Sequence, residues 1–325
     1  MNASLKGAKQ KLIYHLGAEA GKDYYRLNSL YGVNADSEQK IGVFTLLNYA
    51  VNQTTSVSVG ARGAQQSSHL TSVSNNIFIN RAFVTTIGAE WRATPDLRFY
   101  LRRAGSFRFP KADENAASNN GINGLRTQRG VSYETGAQFS RDTMNASLTS
   151  YQLDLRDEIA FDPLQTPSQP FGSNQNLAPT KRQGLSLSAD YLFFRRLTLL
   201  GQYHYVRARL NDGKRIPLVS ENNALVGADY KITDHLNIYA EDVYTGNQYA
   251  ANDNQNTAGV IGGYAIVNAN INYQLKNLRA ALHLNNIFNH DYYLYTTYQT
   301  FNQTVYFYPA PDRNVMLTLS YELNE

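Results

Sequence analysis

The chain has 325 residues, of which 17% are charged, 24 are tyrosine and none is cysteine. The absence of cysteine excludes disulfides, cysteine–zinc sites and thiol nucleophiles. The net charge of +4 is not gathered in any lysine- and arginine-rich block, so we expect no nucleic-acid partner.

The hydropathy of the chain excludes a membrane-spanning helix but not a membrane-spanning barrel. No run of about 18 apolar residues occurs, which a transmembrane helix would need. The mean hydropathy is −0.44, and a barrel keeps such a low value because only alternate residues of its strands are apolar. Residues 1–4 do not begin a basic segment or an apolar segment, so we expect no signal peptide. The chain is then either not exported or a piece of a longer one.

Segments of alternating apolar and polar residues recur along the chain and predict about fourteen β-strands. Short polar turns alternate with longer connections rich in Asn, Gln, Ser, Gly and Pro. That order is typical of an all-β, antiparallel up-and-down transmembrane β-barrel with its long loops on one rim. The alternative, a soluble β-sandwich, would need crossover connections and shorter strands. The strands are predicted at 11–26, 39–51, 55–66, 80–93, 96–106, 127–141, 145–157, 181–194, 196–210, 220–232, 235–246, 264–275, 278–290 and 313–323.

The alternation also sorts side chains between a predicted lipid-facing surface and a predicted water-filled interior. Segment 267–275 carries apolar or aromatic residues at every odd position and amides at every even one. Segment 236–244 departs from this pattern, because its outward register points Asp242 toward lipid unless a bulge shifts the strand. Aromatic residues near strand ends, such as Trp91 and Tyr273, predict girdles at the membrane interfaces.

Four motifs in chain order resemble those of TonB-dependent outer-membrane receptors. Residues 107–110 read Phe-Arg-Phe-Pro, similar to the FRxP loop motif of that family, and 125–136 resemble the strand that follows it. Residues 285–292 are similar to the NLF…Y motif of the penultimate strand, and 308–323 resemble the closing segment. The resemblance implies that the chain is the C-terminal part of a 22-stranded barrel.

The chain departs from the plan of that family in two ways. We find no plug-like region and no energy-coupling TonB box. Residues 1–325 are therefore expected to form a barrel portion alone, coupled to TonB only through a plug missing from this chain. In addition, members of the family usually end on an aromatic residue, which resembles the signal read by the machinery that inserts barrels. In this chain Leu323 stands at that position.

Arginines recur on the predicted inner face and are candidates for binding an anionic ligand. Their guanidinium groups bind carboxylate, phosphate or metal-chelate anions through two parallel hydrogen bonds. The alternative is that they balance the interior charge by pairing with Glu90, Glu134 and Asp190. The candidates are Arg62, Arg98 and Arg102 on strands, and Arg126 and Arg129 in the neighbouring loop.

The aromatic loop 292–308 is the second candidate site, through Tyr292, Tyr295 and Tyr298. Aromatic rings on an extracellular loop can stack on a siderophore or a sugar. They can equally anchor the loop at the membrane interface. Both alternatives stay open from the sequence.

No sequence motif of catalysis occurs. None of the six histidines belongs to an HExxH pair, and there is no GxSxG motif. We therefore expect neither an enzyme nor a bound metal or cofactor. The alternative, an enzyme at the barrel rim with a Ser–His or Asp–His pair, would rest on His204 or His283.

The resemblance implies a function in transport. We expect part of a bacterial outer-membrane receptor, surrounded by outer-membrane lipid, for the TonB-dependent uptake of an iron–siderophore-type ligand. Cobalamin or a glycan is a less expected ligand. The alternative is a passive outer-membrane pore or a non-transporting surface barrel.

Overall fold

The computed structural model describes residues 2–29, 32–70, 76–116, 124–164 and 172–323. Within these ranges the chain is almost entirely β-structure, with one short helix, α1, at Ala112–Ala116. No helix of the described residues is long and apolar enough to cross a membrane. The strands are β1 (Asn2–Lys9), β2 (Leu12–Ser29), β3 (Gly32–Ala50), β4 (Thr55–Leu70), β5 (Asn76–Arg92), β6 (Leu97–Arg108), β7 (Gln128–Arg141), β8 (Met144–Arg156), β9 (Ile159–Asp162), β10 (Ser173–Asn176), β11 (Thr180–Phe193), β12 (Leu197–Arg209), β13 (Asn222–Lys231), β14 (Leu236–Thr245), β15 (Tyr264–Leu275), β16 (Leu278–Asn285), β17 (Tyr293–Gln299), β18 (Thr304–Pro309) and β19 (Asn314–Tyr321).

Fifteen of these strands form one sheet in an up-and-down order. The order runs from β1 to β8, continues from β11 to β16 and ends with β19. The two remaining pairs, β9 with β10 and β17 with β18, form small antiparallel hairpins of their own. All fourteen predicted strands are present in the sheet, which confirms the predicted antiparallel meander.

The differences from the prediction lie in β1 and in the long connections. The sequence pattern did not predict β1, the two small hairpins or α1. The predicted strand 278–290 ends early, at Asn285, because Asn286 closes a turn. Its side-chain oxygen accepts a hydrogen bond from His290 N at 2.8 Å, and its amide donates to His290 O at 2.9 Å.

Several of the short turns are closed by the side-chain oxygen of their first residue. The Asn52 oxygen accepts hydrogen bonds from the main-chain N of Thr54 and Thr55, at 2.9 and 2.8 Å. Thr94 and Thr233 accept in the same way from the main-chain N of residues two and three positions later. Asn and Thr favour such turns because a short polar side chain can replace a main-chain acceptor.

The chain divides into two compact units, which we describe separately. The first unit comprises Met1–Thr135, Tyr151–Arg182 and Arg209–Gly213, and the second comprises Gly136–Ser150, Gln183–Ala208 and Lys214–Glu325.

In each unit the strand register separates a polar face from an apolar face. In the first unit Arg62 lies opposite Phe44 and Val84, and the neighbouring Val59 lies opposite Leu47 and Ile87 on the other face. Val59 and Ile87 remain 49% and 53% exposed, so the apolar face is not covered by protein.

The second unit repeats this separation. Asn270 pairs with His283 on its polar face, and Ile271 pairs with Leu282 on its apolar face. Leu282 in turn lies opposite Leu317, which is 61% exposed. These registers agree with the face assignments predicted from alternation.

Asp242 lies on the apolar face of the second unit, as its register predicted. The ladders of β14 with β13 and β15 continue through it without a shift, opposite Val226 and Val267. Its Oδ1 is buried and has no hydrogen-bond partner among the described residues. A buried, unpaired carboxylate oxygen destabilises the fold.

Candidate functional site

The polar face of the first unit carries ion pairs between arginine and glutamate on different strands. Arg62 on β4 pairs with Glu19 on β2. Arg102 on β6 pairs with Glu134 on β7, with an N–O distance of 3.1 Å. Because these side chains are partly exposed, each pair contributes little to stability. The carboxylates hold the guanidinium groups in place, and both arginines keep donors that a ligand can use.

Arg62 and Arg102 line one cavity. It has a volume of about 440 Å³, and Glu19 and Phe44 are also among its lining residues. The ring of Phe107, from the Phe-Arg-Phe-Pro segment, lies 5.1 Å from Cζ of Arg62. A ring at this distance favours the cation and restricts its orientation. The cavity therefore combines two oriented guanidinium groups with the aromatic side chain of Phe44.

Arg98 lies away from this cavity, in the second position of β6 after the short turn. It pairs with Glu90 at 3.2 Å, and Glu90 also lies 3.5 Å from Arg92. Of the three carboxylates predicted as alternative partners, Glu90 and Glu134 pair with arginine. Asp190 instead accepts a hydrogen bond from Asn145 at 3.0 Å in the second unit.

Arg108 joins the loop that follows β6 to its neighbours. Its guanidinium donates to both oxygens of Glu114 in α1, at 2.7 and 2.8 Å. Asn174 in β10 donates to the main-chain oxygen of Glu114 at 3.1 Å. Beneath the loop, the buried Gln66 on β4 donates to the main-chain oxygen of Pro110 at 3.0 Å. These bonds fix the loop above the polar face of the first unit.

Arg126 lies in the loop, as expected, whereas Arg129 was expected in the loop but lies on β7. Arg126 pairs with Asp157 at 2.6 Å, and its main chain exchanges hydrogen bonds with the side chain of Asn176. Arg129 donates to the main-chain oxygen of Arg81 at 2.8 Å. Neither is brought into the cavity that Arg62 and Arg102 line.

The aromatic candidates lie in the second unit. Tyr295 packs against Tyr308 across the β17–β18 hairpin, with ring centroids 5.5 Å apart. Tyr298 N donates to Ala251 O at 2.8 Å, and Ala251 N donates to Thr296 O at 2.9 Å. The hairpin is therefore bonded to the loop between β14 and β15.

Tyr292 lies at the entrance to the hairpin and lines a second cavity. This cavity has a volume of about 390 Å³, and its lining includes Tyr264, Asn268, Asn285 and Asn314. The rings of Tyr264 and Tyr292 are 4.8 Å apart. Burial raises the pKa of the Tyr292 hydroxyl, with a further contribution from Tyr264. The hydroxyl therefore stays protonated, and the cavity offers aromatic faces and amides without a formal charge.

A second arginine connects two loops of the second unit. Arg215 donates to the side-chain and main-chain oxygens of Asn247, both at 2.8 Å, and its Cζ lies 5.4 Å from the ring of Tyr249. The side chain of Asn256 binds the main-chain N and O of Arg215. Asp253, which is 1% exposed, closes the turn by accepting from the main chain of residues 257 and 258. The loops are therefore bonded to each other.

The two histidines considered for catalysis have polar neighbours on the polar face of the second unit. His204 Nδ1 lies 3.1 Å from Ser186 Oγ, and His283 Nδ1 lies 2.7 Å from Asn270 Oδ1. The described residues provide no carboxylate bonded to His204, so the Ser–His pair lacks the orienting third group of a triad. They also contain no group of three or more His, Cys, Asp or Glu side chains arranged to hold a metal ion.

The sequence matches the model of a protein family described as "TonB dependent receptor-like, beta-barrel" over residues 7–287. A search of curated proteins gave no match.

Solved structures share the fold. One is described as the copper transporter OprC, with a TM-score of 0.84 and 15% identity over 98% of this chain and 55% of that chain. The ferric yersiniabactin uptake receptor FyuA from Yersinia pestis has a TM-score of 0.76 and 15% identity, over 99% of this chain and 53% of that one. The siderophore receptor PiuA from Acinetobacter baumannii has a TM-score of 0.78 and 15% identity, over 98% and 54%. The chain thus spans about half the length of these proteins.

Proposed function

The chain belongs to the TonB-dependent receptor β-barrel family, and on that premise we propose that it is part of an outer-membrane receptor that takes up an iron–siderophore-type ligand. Members of this family are outer-membrane β-barrels of Gram-negative bacteria. The proposed receptor faces lipid with its apolar face and the ligand with its polar face.

The cavity lined by Arg62 and Arg102 is the observation that carries the proposal. Iron chelates often bear carboxylate or catecholate oxygens, and a guanidinium group binds such anions through two parallel hydrogen bonds. Glu19 and Glu134 keep the arginines oriented before the ligand arrives. Since these ion pairs are weak and solvated, the ligand can replace a carboxylate at small cost.

We propose a secondary role for Arg98 and Arg126, which add positive charge to the surroundings of the cavity. Arg98 lies near a short turn, and Arg126 is engaged by Asp157 and Asn176 in the loop. We assign them to the electrostatic attraction of an anionic ligand rather than to direct contact.

The cavity beside Tyr292 supplies a different chemistry. Two tyrosine rings and several amides suit the uncharged part of an organic chelator, such as an aromatic ring or a sugar. Tyr295 and Tyr298 hold the hairpin beside it and offer further aromatic surface.

Energised release would require TonB, which we propose acts through a plug domain outside the residues of this chain. The residues here would contribute binding and the wall of the pathway. The proposed receptor transports the ligand without breaking any bond in it.

A binding assay with the folded 325-residue chain tests the proposal. The chain is folded in detergent and titrated with ferric citrate, an anionic chelate, and with an uncharged ferric trihydroxamate, and the heat of binding is measured by calorimetry. We expect Arg62→Gln and Arg102→Gln each to weaken the binding of ferric citrate about tenfold, because each removes a charge-assisted hydrogen bond. Arg195→Gln, which removes the same charge in an exposed turn, should have no effect.

Two results would contradict the proposal. One is equal binding of ferric citrate by the wild-type chain and by the Arg62 and Arg102 variants. The other is steady ion conductance across a planar bilayer that ferric citrate does not reduce, which would favour a passive pore instead.

A further inference from the structure

Two arginines of the first unit lie on its apolar face, away from the arginines of the cavity. In the register of the sheet, Arg81 on β5 lies opposite Gln65, whereas Arg62 on the polar face lies opposite Val84. An odd number of positions along β5 separates Arg81 from Val84, so their side chains point to opposite faces. The side chains two positions before and after Arg81 on this face are Ile79 and Phe83, which are 58% and 66% exposed.

Arg129 on β7 lies beside Arg81. Its Nη2 donates to the main-chain oxygen of Arg81 at 2.8 Å. Five positions separate it from Glu134, which binds Arg102 on the polar face, so alternation along β7 turns Arg129 to the apolar face. Both arginines are exposed.

Among the described residues neither arginine has a carboxylate partner, in contrast to the arginines of the cavity. The Arg81 Nε donates to Gln65 Oε1 at 2.8 Å, and the single bond to Arg81 O occupies one Nη of Arg129. Across the ranges that the structure describes, no carboxylate lies within ion-pair distance of either. Each guanidinium carries five N–H donors, so most of the donors of this pair remain available.

The distance of Arg81 from Trp91 along β5 places Arg81 and Arg129 at the border of the apolar band. Trp91, on the same face of β5, marks the girdle next to the short turn. Ten residues of strand span about 33 Å, which at a tilt of about 40° is about 25 Å of height. This matches the apolar band of about 25 Å that outer-membrane barrels present. Arg81 is therefore at headgroup level on the long-loop side.

Arg103 lies on the same face but deeper in the band. It pairs with Ile87, only four residues from Trp91, and its Nη1 donates to Thr85 Oγ1 at 2.9 Å. Because its guanidinium is bonded to the strand at that depth, we leave it out of the site.

We propose that Arg81 and Arg129 bind the phosphate of a phosphorylated lipid headgroup in the outer leaflet. Arg129 reaches the main chain of Arg81, so both side chains lie on one stretch of the apolar face. A guanidinium group matches the charge and the oxygen geometry of a phosphate. The acyl chains of the same lipid would cover Phe83 and Ile87 below. The proposal requires the apolar face to meet lipid, but it does not depend on which ligand the receptor imports.

Binding of lipid A to the 325-residue chain tests the proposal. The chain in detergent is titrated with lipid A and with the same lipid after enzymatic removal of its phosphates, and the bound molecules are counted by native mass spectrometry. We expect tighter binding of the phosphorylated lipid. Arg81→Gln and Arg129→Gln should each weaken it about fivefold, and the double variant about 25-fold, following the usual contribution of one basic residue near a lipid surface.

The controls separate specific binding from loss of charge and from misfolding. Arg195→Gln removes one positive charge at a short turn and should leave lipid binding unchanged. The double variant Arg81→Lys with Arg129→Lys keeps the charge without the planar fork and should lose less affinity than the glutamine variant. If the double glutamine variant folds poorly, the double lysine variant still tests the proposal against the wild-type chain.

Three outcomes would overturn the proposal. They are equal binding of the two lipids, an unchanged affinity in the double glutamine variant, and displacement of the lipid by millimolar inorganic phosphate alone. Loss of ferric citrate binding in the Arg62 variant leaves this result untouched, so the two proposals fail independently.

Discussion

Replacing Val59 by arginine should destabilise the protein strongly in a lipid bilayer, whereas replacing the adjacent Ser58 should not. The two residues share the same depth on β4 but lie on opposite faces. Val59 lies opposite Leu47 and Ile87 on the apolar face, and Ser58 lies opposite Asn48 and Gly88 on the polar face.

The expected magnitude follows from the depth of Val59. Its partner Ile87 is four residues above Trp91, which is about 13 Å along the strand and about 10 Å in height. That is near the middle of an apolar band about 25 Å tall, where an arginine facing lipid costs about 2–4 kcal/mol. The folding equilibrium constant should therefore fall about 30- to 1000-fold for Val59→Arg. Ser58→Arg should cost less than about 1 kcal/mol, since it faces water and lies near Glu90.

The assay is equilibrium unfolding in urea from lipid vesicles. Trp91 is the single tryptophan of the chain, and it stacks on Phe99 with ring centroids 5.7 Å apart, so its emission should report unfolding. Equal losses of unfolding free energy in the two variants, or a greater loss for Ser58→Arg, would refute the assignment of the two faces.

Three further predictions concern single side chains. Asp242→Val should raise the unfolding free energy in lipid by about 1–3 kcal/mol, because it removes an unpaired buried carboxylate oxygen from the apolar face; a lower stability in the same urea assay would contradict this. Arg215→Ala should increase amide hydrogen exchange in residues 247–256 at least tenfold, whereas Arg215→Lys should increase it less; unchanged protection would show that the loops do not depend on this side chain. Asn52→Ala should cost about 1 kcal/mol through loss of the turn hydrogen bonds, while Gln53→Ala, its exposed neighbour, should be neutral; equal effects in urea would argue against the turn.

Alternation along the chain was sufficient to predict fourteen of the fifteen strands of the sheet, all but β1. The signal is local: a strand with water on one side and an apolar environment on the other must change polarity at every residue. The runs around Val59 and Ile271 carry that pattern, and the register of each agrees with it.

The long connections followed no such period, so their structure was not predictable. Arg215 and Asn256 are 41 residues apart in the chain, and only the fold brings their main-chain and side-chain groups together. The buried Asp253 was not predicted either, although an Asp followed by an Asn is a common turn composition.

The candidate site was predictable only in part. The face of Arg62 and Arg102 followed from alternation, and so did the idea that Glu134 balances one of them. The partner of Arg62 is Glu19, two strands away, and this depends on the registers of β2, β3 and β4. The position of Phe107 beside Arg62 depends on the path of the loop, which the motif alone does not specify.

Spin-label accessibility tests the central claim most directly, because the chain has no cysteine of its own and single labels can be introduced cleanly. Labels would be placed at Ile271 and Asn270 in β15, and at Leu187 and Ser188 in β11, in the 325-residue chain folded into lipid vesicles. Collision with oxygen, which concentrates in lipid, should dominate at Ile271 and Leu187, and collision with a water-soluble nickel chelate should dominate at Asn270 and Ser188. The reverse pattern, or equal nickel accessibility at all four positions, would contradict a sheet with lipid on one face and water on the other.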